Sequence, residues 1–147
     1  VARSGWIRHY RDARRLMDFY EALRARLLAD SAVSAIVGTK VAWEEQPQGV
    51  EAPHVTLTTI SDTRPEHLKG YQETRSTRVQ ADCRALTFAQ ALALAHAVIA
   101  AVEAPGTFFG HRFGRTKAEG PRSIVDDVED HTVRRQSVDL ISWHVGG

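Results

Sequence analysis

The chain has 147 residues and 16.3 kDa, of which 43% are hydrophobic and 25% charged, with a formal net charge of +1 and a single cysteine. A chain of this length buries about 70% of the surface its unfolded form exposes, so it needs no disulfide or metal staple. Cys83 has no partner within the chain, and no apolar run approaches the roughly 20 residues of a membrane-spanning helix, which argues against secretion and membrane insertion.

Charge is unevenly distributed. Residues 1–16 carry five arginines against Asp12, a local +4, while residues 17–147 carry 14 basic and 17 acidic residues, a local −3. A mildly acidic body argues against a general DNA-binding module, whose affinity rests on neutralised phosphates. In the basic segment Trp6, Tyr10, Ala13 and Met17 recur at steps of four, three and four, so it can form an amphipathic helix. Residues 1–16 are read as an N-terminal extension and residues 17–147 as one domain.

Leu16, Tyr20, Leu23 and Leu27 repeat at helical spacing through Leu28, with Arg24 and Arg26 pointing away from that stripe. Asp30 or Ser31 caps a second turn through Val37, and Gly38 supplies its left-handed stop. Val41 to Glu45 and His54 to Ile60 read as strands on either side of Pro47, Gly49 and Pro53. The charged, aperiodic stretch Ser61 to Gly70 reads as a protruding loop, longer than a tight turn requires.

Arg75 to Ala85 alternates cleanly. Thr77, Val79, Ala81, Cys83 and Ala85 face one side, and Ser76, Arg78, Gln80, Asp82 and Arg84 the other. Thr87 and Gln90 open a helix to about Glu103 that is apolar nearly all round, with Phe88, Leu92, Ala95, Ile99 and Val102 expected on the sheet. Ala91, Ala97 and Ala101 would then admit another helix or subunit. Three antiparallel strands are expected in the last third: Thr107 to Phe113, Ser123 to Val128 after a loop through Gly114, Gly120 and Pro121, and Thr132 to Val145 with room for a bulge. The order of helix, three strands, helix and three strands indicates an α+β domain, a mostly antiparallel sheet with helices packed on one face.

No catalytic set emerges. The seven histidines (His9, His54, His67, His96, His111, His131 and His144) show no metal-binding pairing, so no metal or other cofactor is expected. His96 fits a hydrogen-bonded core or interface residue. Cys83 shares its parity with Val79 and Ala81, where a thiol is an inert small hydrophobe. Gly106, Gly110 and Gly114 lack the G-K-[ST] of a phosphate loop and fit a bend or bulge. The acidic run Asp126, Asp127, Glu129 and Asp130 lacks the glycine turn and final glutamate of a calcium loop and fits a solvated strand end or an acidic channel wall. There is no G-x-S-x-G elbow.

An ordered set of stretches without a chemical task covers about nine tenths of the chain: MDFYEALRARLLAD and AVSAIVG, VAWEEQPQG, PHVTLTTIS and HLKG, RVQADC and TFAQALALAHAVIAAV, GPRSIVDD and RRQSVDLISWH. In this order they resemble the tail terminator, or tail completion, family of long-tailed phages and phage-like gene transfer particles. Cys83 and Arg84 depart from the aromatic or aliphatic pair expected there, and residues 1–16 precede the Met17 at which such proteins commonly begin.

The resemblance implies a non-enzymatic virion protein, assembled in the bacterial cytoplasm and placed at the tail-neck junction. It implies a homo-hexameric ring on the head-proximal end of the tail tube, which ends tube polymerisation and meets a neck or head-completion protein. Genomic DNA would pass its lumen without specific binding. A different neck or connector ring component, or a small enzyme of unrecognised chemistry, are the alternatives.

Three sets of contact residues follow. Arg64, His67, Lys69 and Tyr71 on the long loop are candidates for subunit or tail-tube contact, against a merely solvated loop. Arg78, Gln80, Asp82 and Arg84 are candidates for a subunit boundary or lumen wall, against a solvated sheet face. Trp6 and Tyr10 are candidates for contacts of the extension in the assembled particle, against a mobile tail.

Overall fold

A computed structural model describes residues 19–63, 66–67, 70–71, 74–128 and 131–145. The expected extension, residues 1–16, lies outside them. Helix α1 covers residues 19–29 and α2 covers Ser31–Val37. Strands β1 (Val41–Trp43), β2 (His54–Thr63), β3 (Glu66–His67), β4 (Gly70–Tyr71) and β5 (Thr74–Ala85) lead to helix α3 (Phe88–Glu103). Strands β6 (Gly106–Phe108), β7 (His111–Val128) and β8 (His131–Val145) complete the order.

Six strands form one sheet in the order β1-β2-β5-β8-β7-β6, and β3 and β4 form a separate two-stranded ladder. The sheet is mixed, which corrects the mostly antiparallel expectation: β1 runs parallel to β2, with Val41 opposite Val55, and the other pairs are antiparallel. The reversal arises because β1 reaches β2 through residues 44–53, which carry the chain back to the start of the sheet instead of turning it in a hairpin.

Local signals in the sequence account for the element ends. Asp30 caps α2 by accepting hydrogen bonds from the amides of Ala32 and Val33, and Gly38 ends it at φ 63°. Thr87 Oγ1 accepts from the Gln90 amide at 3.2 Å and starts α3. The parity of β5 holds: Thr77, Val79, Ala81, Cys83 and Ala85 are buried. One core joins Phe19, Leu23 and Leu27 of α1 to Val33 and Val37 of α2, Leu94 and Val98 of α3, and Leu57, Val79, Val138 and Leu140 of the sheet.

Four expectations are corrected. Where it is described, the segment read as a loop from Ser61 to Gly70 is paired: Ser61, Asp62 and Thr63 stand opposite Arg78, Thr77 and Ser76, and Glu66 stands opposite Tyr71. Gly114, Gly120 and Pro121 do not form a loop; β7 is one strand of 18 residues whose register with β8 slips between Phe113 and Thr116 and between Glu119 and Arg122. Glycine and proline mark bulges there rather than a chain reversal.

On α3 the buried stripe is Ala91, Leu94, Ala95, Val98 and Val102, so Ala91 belongs to the core, whereas Phe88 and His96 are exposed. The helix is rotated relative to the expected stripe: Ala95 and Val102 stay on the buried face, and Ala91, Leu94 and Val98 take the places expected for Phe88, Leu92 and Ile99. His96 is therefore not a core residue. On α1, Arg26, expected to point away from the apolar stripe, is only 5% exposed.

Candidate assembly interface

Helices cover one face of the sheet, and the other carries charge. On that second face Arg78 of β5 reaches across to β8 and β7: its Nη2 lies 2.8 Å from Asp139 Oδ2 and 2.6 Å from Glu119 Oε2. These bonds, to Asp139 first and Glu119 second, raise the guanidinium pKa above its ordinary value. Arg122 donates to Asp139 Oδ1 at 3.3 Å. Asp82, buried, accepts from Gln80 Nε2 at 3.1 Å and lies 3.8 Å from Arg135 and 4.0 Å from Arg84. Of the expected polar ladder, Gln80, Asp82 and Arg84 are thus brought together around Asp82, while Arg78 joins a separate cluster with Asp139, Glu119 and Arg122.

Beside this ladder the connection after β1 and the sheet form an open cleft of about 790 Å³, lined by Glu44, Glu45 and Glu51 from the connection and by His54, Asp82 and Arg84 from the strands. Gln46 fastens the connection by donating to Val55 O at 2.7 Å and to Thr56 Oγ1 at 3.2 Å. Burial, then the nearby charges of Arg84 and Lys40, push the His54 pKa down, so this histidine favours its neutral form.

The loop candidates are only partly placed. His67 in β3 and Tyr71 in β4 belong to the small ladder, where His67 pairs with Gly70. Arg64 and Lys69, like Trp6 and Tyr10, lie outside the described residues.

Two polar arrangements were not anticipated. In the core, His111 Nε2 donates to His144 Nδ1 at 2.9 Å, His144 Nε2 donates to Thr77 Oγ1 at 2.7 Å, and Thr77 donates to Asp62 Oδ1 at 3.1 Å; this proton placement is the one that satisfies every bond in the chain. Arg75 closes the line on Asp62 Oδ2 at 3.0 Å. Burial and the neighbouring His111 lower the His144 pKa to about 3. The parity of His144 with Val138, Leu140 and Ser142 was the available signal. The second arrangement is Arg26, whose guanidinium lies 3.8 Å above the Phe108 ring and donates to Ala104 O. No sequence pattern separates it from a surface arginine.

The described residues contain no group of three or more metal-ligating side chains. Cys83 is fully buried, and its thiol pKa is pushed up to about 12 by burial, with Asp82 adding to the effect. No described helix is long and apolar enough to cross a membrane.

Comparison with known proteins points to a virion tail component. The family model described as tail completion protein gp17 matches residues 21–142. Among solved structures, a chain from the virion of a native gene transfer agent particle is 26% identical and superposes with a TM-score of 0.63, covering 86% of this chain and 93% of that one. No curated protein matches.

Proposed function

The chain belongs to the tail completion protein gp17 family, and from that premise we propose that it is a structural virion component that closes the head-proximal end of a tail tube. Copies assemble as a hexameric ring at the tail-neck junction, end tube polymerisation and receive the neck or head-completion protein, while DNA passes the lumen without specific binding. The observation that carries this reading is the match over residues 21–142, supported by an α+β subunit that superposes on a gene transfer agent virion chain along most of both lengths. The charged face of the sheet supports it too, since charges paired inside the subunit present little net attraction to a passing polyanion. In this reading the subunit works by binding and has no catalytic activity.

Within the ring, Arg64, His67, Lys69 and Tyr71 meet the tube or a neighbouring subunit, a role supported by the length and charge of the segment between β2 and β5 and by the paired strands that flank it. Arg78, Asp82 and Arg84 line a boundary or the lumen. Trp6 and Tyr10 add contacts to the neck partner.

The test is to mix the purified protein with tail-tube protein and measure mass and tube length. Mass photometry is expected to show a ring at micromolar concentration, and tubes grown in its presence should be short and capped. Arg64→Ala with Lys69→Ala should lengthen the tubes without unfolding the subunit. Monomers alone, with and without tube protein, would refute the ring.

A further inference from the structure

The two edges of the six-stranded sheet carry complementary features. At one edge β6 turns into β7 through Phe109 and Gly110, both at positive φ, 53° and 77°. Two central residues with positive φ are the signature of a tight hairpin turn that selects asparagine, aspartate or glycine. A bulky aromatic in the first position costs backbone free energy, and here most of the ring stays in solvent, since Phe109 is 61% exposed. Arg112, also exposed, stands two residues beyond the turn.

At the opposite edge, beside β1, α1 and the strands leave a cleft of about 360 Å³ walled by Tyr20, Trp43 and Thr59 and rimmed by Glu21, Arg24 and Glu44. Its walls are fixed. Tyr20 and Trp43 hold each other with ring centroids 4.6 Å apart, Trp43 Nε1 donates to Tyr20 O at 2.9 Å, and Thr59 Oγ1 donates to the Tyr20 hydroxyl at 3.2 Å. Arg24 is anchored by donating from Nε to Val41 O at 2.7 Å.

We propose that Phe109 of one copy inserts into the Tyr20–Trp43 cleft of the next, with Arg112 facing the exposed Glu21 and Glu44 at its rim. The occupant is a second copy because one chain carries both halves of the contact, an aromatic projection beside Arg112 and an aromatic cleft whose rim holds two glutamates against one arginine. Because the halves lie at opposite edges of the sheet, filling one cleft leaves the far edge of each copy free for a further copy. They join copies head to tail, the geometry that closes into a ring when the rotation allows. The inference rests on the ring reading above and names its contact.

Two measurements test it. Phe109→Asn suits the positive φ, so the thermal midpoint of the subunit should hold or rise, while loss of an aromatic anchor should weaken association at least about tenfold. Mixing Phe109→Cys with Glu21→Cys under mild oxidation should give covalent dimers, and the double variant a ladder of larger species; Cys83 is buried and does not interfere. A ring of unchanged strength in Phe109→Asn, cross-links between like positions, or cross-linking of Glu21→Cys to tail-tube protein instead would overturn the contact while leaving the ring intact. A wild-type chain that is monomeric at micromolar concentration would overturn the ring reading itself.

Discussion

The imidazole of His144 lies stacked on the ring of Phe19, with centroids 3.9 Å apart and planes 12° from parallel. An uncharged imidazole packs well there, whereas an imidazolium would be desolvated in the core beside His111. His144 is therefore held neutral, with a pKa of about 3 in place of 6.5. Because the folded value is depressed, the unfolded chain binds more protons between these limits. Stability is full above about pH 6.5 and falls as the medium is acidified, by about 1.4 kcal/mol per pH unit for one such proton. His54, shifted in the same direction, adds to the slope. Thermal midpoints from pH 7.5 to pH 4.5 are expected to decline, and His144→Gln should flatten the decline relative to wild type. A midpoint independent of pH over this range would contradict a buried neutral His144.

Arg26 tests a different balance. Its guanidinium packs on Phe108 and lies 5.2 Å from the Phe113 centroid, but Nε and Nη1 are buried without a hydrogen-bond partner among the described residues. Arg26→Met keeps the stem's packing and removes the unsatisfied donors, so stability should stay within about 1 kcal/mol of wild type or exceed it. Arg26→Ala opens a gap beneath Phe108 and should cost about 2 kcal/mol. Chemical denaturation of both variants separates the two effects. A methionine variant as weak as the alanine one would mean that the charge itself is required.

The second bulge of β7 depends on Gly120. Its φ is 102°, and a Cβ there would stand 3.0 Å from Ser137 O and 3.3 Å from Arg122 N, both backbone atoms that cannot swing aside. Gly120→Ala is expected to lower stability by about 1 to 3 kcal/mol. Gly38, at φ 63° with open space around its Cβ position, suffers only the backbone term and should tolerate alanine better. Comparing the two thermal midpoints checks the contribution of the close approach.

Charge reversal on the open face should be felt first by the subunit. Arg78 serves Asp139 and Glu119 together, and Arg122 also leans on Asp139. Arg78→Glu places a third carboxylate against two others, so the thermal midpoint should drop, and the drop should shrink in high salt. Combining it with Arg84→Glu and measuring ring mass then tests the boundary role. Full stability in Arg78→Glu would show that the ladder contributes little to the fold.

Much of the architecture is written locally. The β5 alternation, the Asp30 and Thr87 caps, the Gly38 stop and the burial of Cys83 each follow from a residue and its near neighbours, because period, capping and left-handed backbone are properties of a few consecutive residues. Other features depend on what lies across the fold. Gly114, Gly120 and Pro121 look like a loop until β8 pairs on both sides of them and turns them into bulges. Arg26 looks solvent-facing until Phe108, 82 positions later, slides beneath it. His111 and His144 become partners only when β7 and β8 lie side by side, and Phe109 and the Tyr20–Trp43 cleft come to occupy opposite edges only through the strand order. Local periodicity determines which way a side chain faces along its own element; only the tertiary structure decides what it faces.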